Sequence, residues 1–520
     1  MSFQTRRIGE ENAPRRSFPW RMIGSFAVIA VSPLTAMVHK WKEKRAKQEQ
    51  HEKRILFLKR TLTVLLSVLL SLLLLAGVAK ALISLNVLNL RSVLGLVAAD
   101  LPTDQNGFTN FLLLGKGDDN HEGIDLTDTI MVVSVDPKTK SAVMISIPRD
   151  LYVTSDIMGT GRINALYRDY KAKLRHSGMT KEEASQASLK ELLKDVGEKL
   201  DLPLHYAAMV NFSGFTQAVD ALGGIDVVVP EDLVDREYPG PNWTYETFEI
   251  TAGPHLLDGE TALKYARSRH STNDFSRSAR QQQIVQALGE KAKTLGIAKS
   301  PRKILSLLQI LSQNVETTLS GKELLGAAKL GEQLDRSRVV SVQLNDQSGL
   351  YTSFAEAGGF LYTPPREQFG GASVLLPIKP AGGGSWDEIR AFVRLLTQNR
   401  TLFIAHPRIA VLNAGGKNGL ASLLATELLR YGFDVQKVEN ASDGQEGRLK
   451  QDTSLVASLT EEDKPLASFF ATLLRLPVEP APMVVPPDQQ EQVTIFLGKT
   501  FNFSPFLKLL SSHASSSSSH

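Results

Sequence analysis

Residues 262–284, ALKYARSRHSTNDFSRSARQQQI, gather Arg267, Arg269, Arg277 and Arg280, with Asp274 the only acid between the first and the last. Lysine would serve an ordinary solvated face, whereas the planar fork of arginine grips phosphate oxygens in pairs. A surface salt-bridge patch would carry about as many acids as bases, and this stretch does not. Arg267 and Arg269 close one helical pattern. Arg277, Arg280 and Gln281 open the next at i, i+3, i+4 spacing and so share a face. Two helix ends joined by a short polar loop can converge on one anion. Ile147-Pro148-Arg149-Asp150 puts a further arginine at a strand's end, where α/β domains gather ligand-binding groups. Gly161-Arg162-Ile163-Asn164 adds another, with an amide beside it. Asp118, Asp119, Asp125 and Asp128 fall in one loop between strand patterns. A hard divalent cation takes one or two carboxylates plus substrate phosphate oxygens, which such a loop can supply, although a plain acidic loop has the same composition.

Other chemistries lack their residues. The chain has no cysteine, which removes thiol nucleophiles, cysteine-ligated metals and disulfides. Its 10 histidines form no HExxH, and no serine sits in a GxSxG elbow. Gly498-Lys499-Thr500 resembles the end of a P-loop, but the upstream glycine position is Val493 and no helical pattern follows at once. Gly415 to Gly419 follows a strand and opens a helix, which is anion-binding geometry in principle, although such glycines more commonly permit a tight turn.

The elements that must position the arginines are an interleaved series. Apolar strand patterns at 110–115, 129–135, 142–148, 205–211 and 225–230 alternate with helical patterns at 182–200, 213–222 and 259–269. Asp136-Pro137-Lys138-Thr139 is a turn between the second and third strands. This predicts one α/β domain over 105–295. Residues 300–400 read as an extension with leucine-rich helical stretches, a strand at 338–344 and a helix at 386–399. A separate smaller α/β unit is expected over 407–500, with strand 408–414, a glycine-rich turn, helix 420–432, a second strand and a last strand at 492–498. The serine-rich end, 511–520, is expected to be disordered.

Composition supports a folding chain: 520 residues, 42% hydrophobic and 22% charged. Residues 1–60 hold 14 Lys and Arg against 5 Asp and Glu, while the other 460 hold 45 against 50. The body is therefore no basic nucleic-acid-binding surface, and no nucleic-acid partner is expected. Thr61 to Ala79 contains 19 residues without a charge, and a slight extension predicts a transmembrane helix over 61–83. Nine Lys and Arg between His39 and Arg60 put residues 1–60 in the cytoplasm as a basic segment, and the body outside it. A signal peptide fits less well, because both the 60-residue leader and the apolar core are too long. Met22 to Val38 is a second, weaker apolar stretch, and a span there would leave the orientation of the body unchanged.

Taken in order, Leu112-Leu113-Leu114-Gly115, Leu126-Thr127-Asp128-Thr129, Ser146-Ile147-Pro148-Arg149-Asp150, Arg162-Ile163-Asn164-Ala165, Asn211-Phe212-Ser213-Gly214-Phe215, Leu257-Asp258-Gly259-Glu260 and Tyr265-Ala266-Arg267-Ser268-Arg269 resemble the LytR-CpsA-Psr (LCP) family. So do Val219 to Val227 (VDALGGIDV) and Asp274-Phe275-Ser276-Arg277 with Arg280-Gln281-Gln282. The resemblance covers about residues 108–295, and the unit opening IAVLNAGGKNGLA is similar to the LytR C-terminal domain. It implies an LCP-type mixed β-sheet flanked by helices, preceded by a transmembrane helix and followed by a smaller α/β domain. The implied activity is transfer of a glycopolymer from a polyprenyl-pyrophosphate carrier onto peptidoglycan at the outer face of the cytoplasmic membrane, so the implied partners are that carrier, peptidoglycan and membrane lipid. Mapped by motif, the pyrophosphate ligands are Arg149, Arg162, Arg267, Arg269, Arg277, Arg280 and Gln281. Arg149, Arg267, Arg269 and Asp274 are the expected catalytic groups, with Asp274 either a base or an orienter of Arg267 or Arg277. Mg²⁺ or Mn²⁺ is the implied cofactor, held by Asp128 and Asp125. Many members carry an aspartate two residues after the glycine of LLLG; here that position is Gly117, and Asp118, Asp119 or Asp125 would substitute. The competing readings are a non-catalytic binder of the lipid carrier that regulates envelope genes, and a hydrolase of the same pyrophosphate.

Overall fold

The apolar runs become the middle of a mixed six-stranded sheet because they are buried on both faces. The computed structural model describes residues 99–510, apart from 119–123, 241–243, 269–273, 298–299, 301–302, 304–306, 308–312, 347–357, 381–385, 442–453, 459, 461–462 and 481–490; the side chains of 274–276 and 479–480 also lie outside the description. The basic segment, the expected transmembrane helix over 61–83 and the serine-rich end are all outside the described residues. Among those described, no helix is long and apolar enough to cross a membrane.

β1 (Thr109–Lys116), β2 (Thr127–Asp136) and β3 (Ser141–Ser146) are antiparallel neighbours. The predicted turn between the last two forms because Asp136 Oδ1 accepts the Lys138 N–H at 2.8 Å and Oδ2 accepts the Thr139 hydroxyl at 2.7 Å. β4 (Tyr206–Asn211) runs parallel to β1. β5 (Val315–Thr317) and β6 (Val339–Gln343) then close the two edges, giving the order β5-β4-β1-β2-β3-β6. These edge strands come from the stretch read as an extension after residue 295. β6 falls on the strand expected at 338–344, whereas the three-residue, half-buried β5 carries no periodicity and takes its place from the unpaired edge of β4.

Leu112, Leu114, Ile130, Val132, Val143 and Ile145 project from one face of the sheet. They pack with Tyr167 and Tyr170 of α1 (Leu166–His176) and Leu189, Leu192 and Val196 of α2 (Lys181–Leu200). α2 begins where Thr180 and Glu183 form a reciprocal capping box. The opposite face, with Leu113, Met131 and Ala208, looks toward α3 (Phe212–Ala221), α4 (Gly259–Arg267) and α5 (Asp274–Thr294). Asn211 and Asp258 cap α3 and α4 through the Gly214 and Thr261 amides. Gly259 is required, since a Cβ there would lie 2.4 Å from the Thr216 carbonyl oxygen. Two antiparallel pairs complete this second core: the expected strand Ile225–Val229 with Gly253–Leu257, and Leu233–Pro239 with Tyr245–Ile250; the last three strands have no counterpart among the expected ones.

α6 (Gly321–Gln333) precedes β6, and α7 (Asp387–Gln398) and α8 (Arg400–Ala405) lead into the smaller unit. There β7 (Arg408–Asn413), β8 (Asp434–Asn440), β9 (Leu455–Ser458), β10 (Val478–Pro480) and β11 (Val493–Leu497) form a sheet of order β8-β7-β11-β9-β10. α9 (Leu420–Arg430) and α10 (Lys464–Leu474) accompany it. The two sheets share one continuous apolar core. Arg400 fastens α8 to the large sheet, its guanidinium donating to the Ser134 carbonyl and hydroxyl at 3.1 Å and lying 4.0 Å from the Phe108 ring centre. Burial lowers its pKa to about 10.

Candidate functional site

β1, β3, β4 and β6 run the same way and end together, beside the start of β2. That edge collects the residues singled out by type: Asp128 at the start of β2, Arg149 just beyond β3, Arg162 at the end of the short strand Gly159–Arg162, and Arg267 at the end of α4. A cavity of about 670 Å³ lies between the second face of the sheet and the helices. Its floor is Leu113, Met131, Ala208 and Val210, and its roof includes Leu263, Ile284, Val285 and Leu288. Asp128, Arg149, Arg162, Arg267, Arg277 and Gln281 also line it. One space thus joins an apolar slot to a polar rim, a form suited to a ligand with a long hydrocarbon and a charged head.

The rim is organised by ion pairs and aromatic rings. Arg149 Nη1 donates to Asp128 Oδ1 at 2.9 Å, and Arg162 Nη1 to Asp150 Oδ1 at 3.1 Å. Asp150 also lies 3.5 Å from Arg149 Nε, so one carboxylate tethers both guanidiniums. The Arg267 guanidinium sits 4.1 Å from the Phe212 ring centre and 5.5 Å from that of Tyr238, and donates to the Tyr238 hydroxyl at 3.2 Å. Two aromatic faces fix its plane by cation–π attraction, which the compact ammonium of lysine would not reproduce. Burial pushes the Tyr238 phenol up against the pull of Arg267 and Lys264, keeping it a neutral partner. Phe212 belongs to a motif quoted above, but nothing in the sequence places Tyr238 opposite it.

Of the expected pyrophosphate ligands, Arg149, Arg162, Arg267, Arg277 and Gln281 line the cavity. Arg280 does not. Three residues after Arg277, it turns back under α4, where Nε donates to the Tyr265 carbonyl at 2.9 Å and Nη2 to the Ser268 carbonyl. These are carbonyls that a helix end leaves exposed, so Arg280 serves as a C-terminal cap, and burial lowers its pKa. Arg269 lies outside the described residues, as does the side chain of Asp274, which opens α5.

The acidic loop divides in the same way. Asp128 faces the cavity with its side chain 35% exposed. Asp125 is engaged elsewhere, at 2.7 Å from Lys116 Nζ and 2.8 Å from Lys171 Nζ, one lysine on each carboxylate oxygen. Burial works against its charge, but the two ammoniums outweigh burial and hold the carboxyl below its ordinary value. A carboxylate clasped by two lysines is poorly placed to hold a cation, which corrects the expectation that Asp125 shares the metal. Lys116, although it lines the cavity, is likewise committed to Asp125 and to Glu316 at 3.1 Å. Asp118 accepts the Ser213 N–H and hydroxyl at 3.0 and 2.9 Å, at the start of α3, and Asp119 lies outside the described residues. Asp128 therefore carries any metal site with little help from other acids, and no group of three or more acidic or histidine side chains poised for a metal occurs among the described residues. The residues still fit a hard cation that draws its other ligands from phosphate oxygens. Asn164, 3% exposed and lining the same cavity, has an Oδ1 with no hydrogen-bond partner among the described residues and offers one neutral oxygen.

Residues 89–365 match the LytR_cpsA_psr family, and residues 406–501 match a domain described as LytR cell envelope-related transcriptional attenuator. The chain is 27% identical over 404 residues to the cell wall biosynthesis protein LcpA of Corynebacterium glutamicum, covering 72% of this chain and 70% of that protein. It is 32% identical over 219 residues to the polyisoprenyl-teichoic acid–peptidoglycan teichoic acid transferase TagT of Bacillus subtilis, covering 41% of this chain and 61% of that one. The crystal structure of B. subtilis TagV aligns with 56% of this chain and 98% of its own at 24% identity, with a TM-score of 0.40.

Proposed function

We propose, from the premise that this chain belongs to the LytR-CpsA-Psr family, that it transfers a glycopolymer from a polyprenyl-pyrophosphate carrier to peptidoglycan. The observation that carries this reading is the joining, in one cavity of about 670 Å³, of an apolar slot and an arginine rim. Each methylene of a polyprenyl chain buried in the slot contributes about 0.8 kcal/mol, and the rim arginines meet the pyrophosphate.

In the proposed step a sugar hydroxyl of the acceptor attacks the phosphorus that bears the glycan. A new P–O bond forms as the bridging P–O bond breaks, and polyprenyl monophosphate leaves. Arg149, Arg267 and Arg277 stabilise the charge gathering on the phosphate oxygens, and the donors of Arg149 and Arg267 are already fixed before the reaction. Asp274 is the candidate to take the hydroxyl proton, since it opens the helix that carries Arg277 and Gln281. Asp128, assisted by Asn164, would hold Mg²⁺, which supplies further neutralisation of the leaving phosphate when bound.

The basic segment before residue 61 and the apolar run over 61–83 support a single-pass protein with its N-terminus in the cytoplasm and its body outside. The test is a mass-resolved product assay with a polyprenyl-pyrophosphate glycan and peptidoglycan fragments. A phosphodiester-linked conjugate is expected, lost in excess chelator and needing more Mg²⁺ in Asp128→Asn. Release of glycan phosphate to water alone would identify a hydrolase, and binding without turnover a carrier sensor.

A further inference from the structure

A second cavity, of about 180 Å³, shares Asp128, Thr129, Arg149, Arg277 and Gln281 with the first. The two lie side by side across the sheet. The apolar one extends over β4, β1 and β2, and the smaller one over the start of β2 and the ends of β3 and β6, reaching Ser146 and Gln343. We propose that this smaller cavity is the acceptor subsite, which takes one neutral, hydroxyl-rich sugar of a peptidoglycan strand. The proposal rests on the reading of the larger cavity as the donor site.

Three features favour that ligand. First, the lining changes character. Asp150, Asp346, Gln343 and Ser373 stand among Ile130, Ile147, Leu344 and Leu375, so polar side chains hold a larger share of this lining than of the larger cavity's, and the space suits a ligand that offers hydroxyls as well as apolar ring faces. Second, Asp128 and Asp150 are already paired with arginines, which leaves Asp346 as the carboxylate of this lining that can take hydroxyl donors. Asp346 Oδ2 accepts the Thr363 hydroxyl at 3.1 Å, its partner among the described residues, and its other oxygen is available to a sugar. Third, an attacking hydroxyl must reach phosphorus from the side away from the leaving group. A donor whose hydrocarbon lies over β4, β1 and β2 presents its phosphate at Arg149 and Arg277, and the smaller cavity opens on the other side of those arginines.

The far wall is also built as a fixed surface. Leu344 N–H donates to the Ser146 carbonyl at 3.0 Å, Leu375 N–H to the Asp150 carbonyl at 3.0 Å, and Tyr152 N–H to the Leu375 carbonyl at 2.8 Å. The stretch between the two α/β units thereby gains a role the sequence did not disclose: it supplies Gln343, Asp346 and Ser373 to the site.

Equilibrium binding to the full-length chain, with a soluble peptidoglycan disaccharide fragment and separately with polyprenyl pyrophosphate, tests the assignment. Ser373→Trp, which fills the cavity, and Asp346→Ala should each weaken fragment binding about tenfold or more while leaving polyprenyl pyrophosphate within about twofold. Val285→Trp, in the apolar slot, should do the reverse. Fragment binding unchanged in both Ser373→Trp and Asp346→Ala, a parallel loss of polyprenyl pyrophosphate in them, or no fragment binding by the unsubstituted chain would overturn the proposal. Conjugate formation with unchanged fragment affinity in both variants sinks the subsite alone. Fragment binding that follows the cavity with no conjugate formed sinks the transfer reading alone.

Discussion

At the large sheet, the ends of β1, β3, β4 and β6 meet two cavities rimmed by arginine and aspartate; at the small sheet, the same ends of β7 and β11 meet a loop that folds back on them. Both are places where open α/β sheets commonly hold ligands. In the small unit the Ala414 and Gly416 amides donate to the Leu497 carbonyl at 2.9 and 3.2 Å, and Asn413 Nδ2 reaches the Lys417 carbonyl at 3.3 Å. A Cβ on Gly416 would lie 3.2 Å from the Gly498 carbonyl oxygen and 2.9 Å from a Leu420 methyl. Gly416 therefore serves close packing, while Gly415 and Gly419, at φ 112° and 80°, permit the turn, as the ordinary expectation for such glycines has it. A favourable topology makes a site only where side chains hold the space open and bring charge to it.

The sharpest way to break this contrast is to alter one residue from each edge. Arg267→Ala removes a guanidinium held between two aromatic rings at the cavity rim. Transfer should fall on the order of 10²–10³-fold, the cost of removing a preorganised donor to developing charge, with the melting temperature nearly unchanged. Gly416→Ala should do the opposite, costing about 1–3 kcal/mol of stability by overpacking while transfer per folded molecule stays the same. Full transfer in Arg267→Ala, or its loss in folded Gly416→Ala, would mean that the two edges have been assigned the wrong way round.

A second comparison lies within one helix. Arg277 lines both cavities, and Arg280 caps α4. Arg280→Lys loses the fork that spans the Tyr265 and Ser268 carbonyls and should lower stability by about 2–3 kcal/mol, as expected for hydrogen bonds to a charged group. Arg277→Lys should keep the melting temperature and weaken polyprenyl pyrophosphate binding. Equal thermal losses, or equal binding losses, would show that the two arginines do not divide their work.

Arg277 and Arg280 also mark how far the sequence could be read. The i, i+3, i+4 spacing put both on one face, and that is how the backbone runs, but a face about 100° wide can look at a ligand and at a neighbouring helix end at once. Asp125 and Asp128 were alike in the loop; only the fold brings Lys171, from α1, onto the first and Arg149 onto the second. The central strands were legible because they carry long apolar runs, and the α2 start because Thr180 and Glu183 form a capping box. The strand patterns at 225–230 and 338–344 were legible too, but β5 and the strands Leu233–Pro239, Tyr245–Ile250 and Gly253–Leu257 were missed, since short half-buried strands alternate weakly and are defined by partners distant in the chain. The cavity is a property of that assembly: Leu113 from β1 and Val285 from α5 are 172 positions apart.

The smallest expected effect separates the two aspartates by pH. Asp125 has its carboxyl held below the ordinary value of 3.8, because Lys116 and Lys171 outweigh the penalty of burial. A depressed carboxyl stabilises the fold fully above its unfolded value, and that contribution is lost as pH falls from about 3.8 through the folded value. Asp125→Asn removes the contribution at every pH, at a cost near neutrality of about 1.5 kcal/mol, the low end for a hydrogen bond to a charged group. The cost stays at that low end because Glu316 still neutralises Lys116 and the amide keeps the shape. The stability gap between the parent and Asp125→Asn, measured by denaturant unfolding from pH 6 downward, should therefore be constant to about pH 4 and close below it. The Mg²⁺ requirement for transfer should not change in this variant, since both oxygens of Asp125 already face lysines. A gap independent of pH would remove the ion pairs as its source, and a raised Mg²⁺ requirement would return Asp125 to the metal beside Asp128.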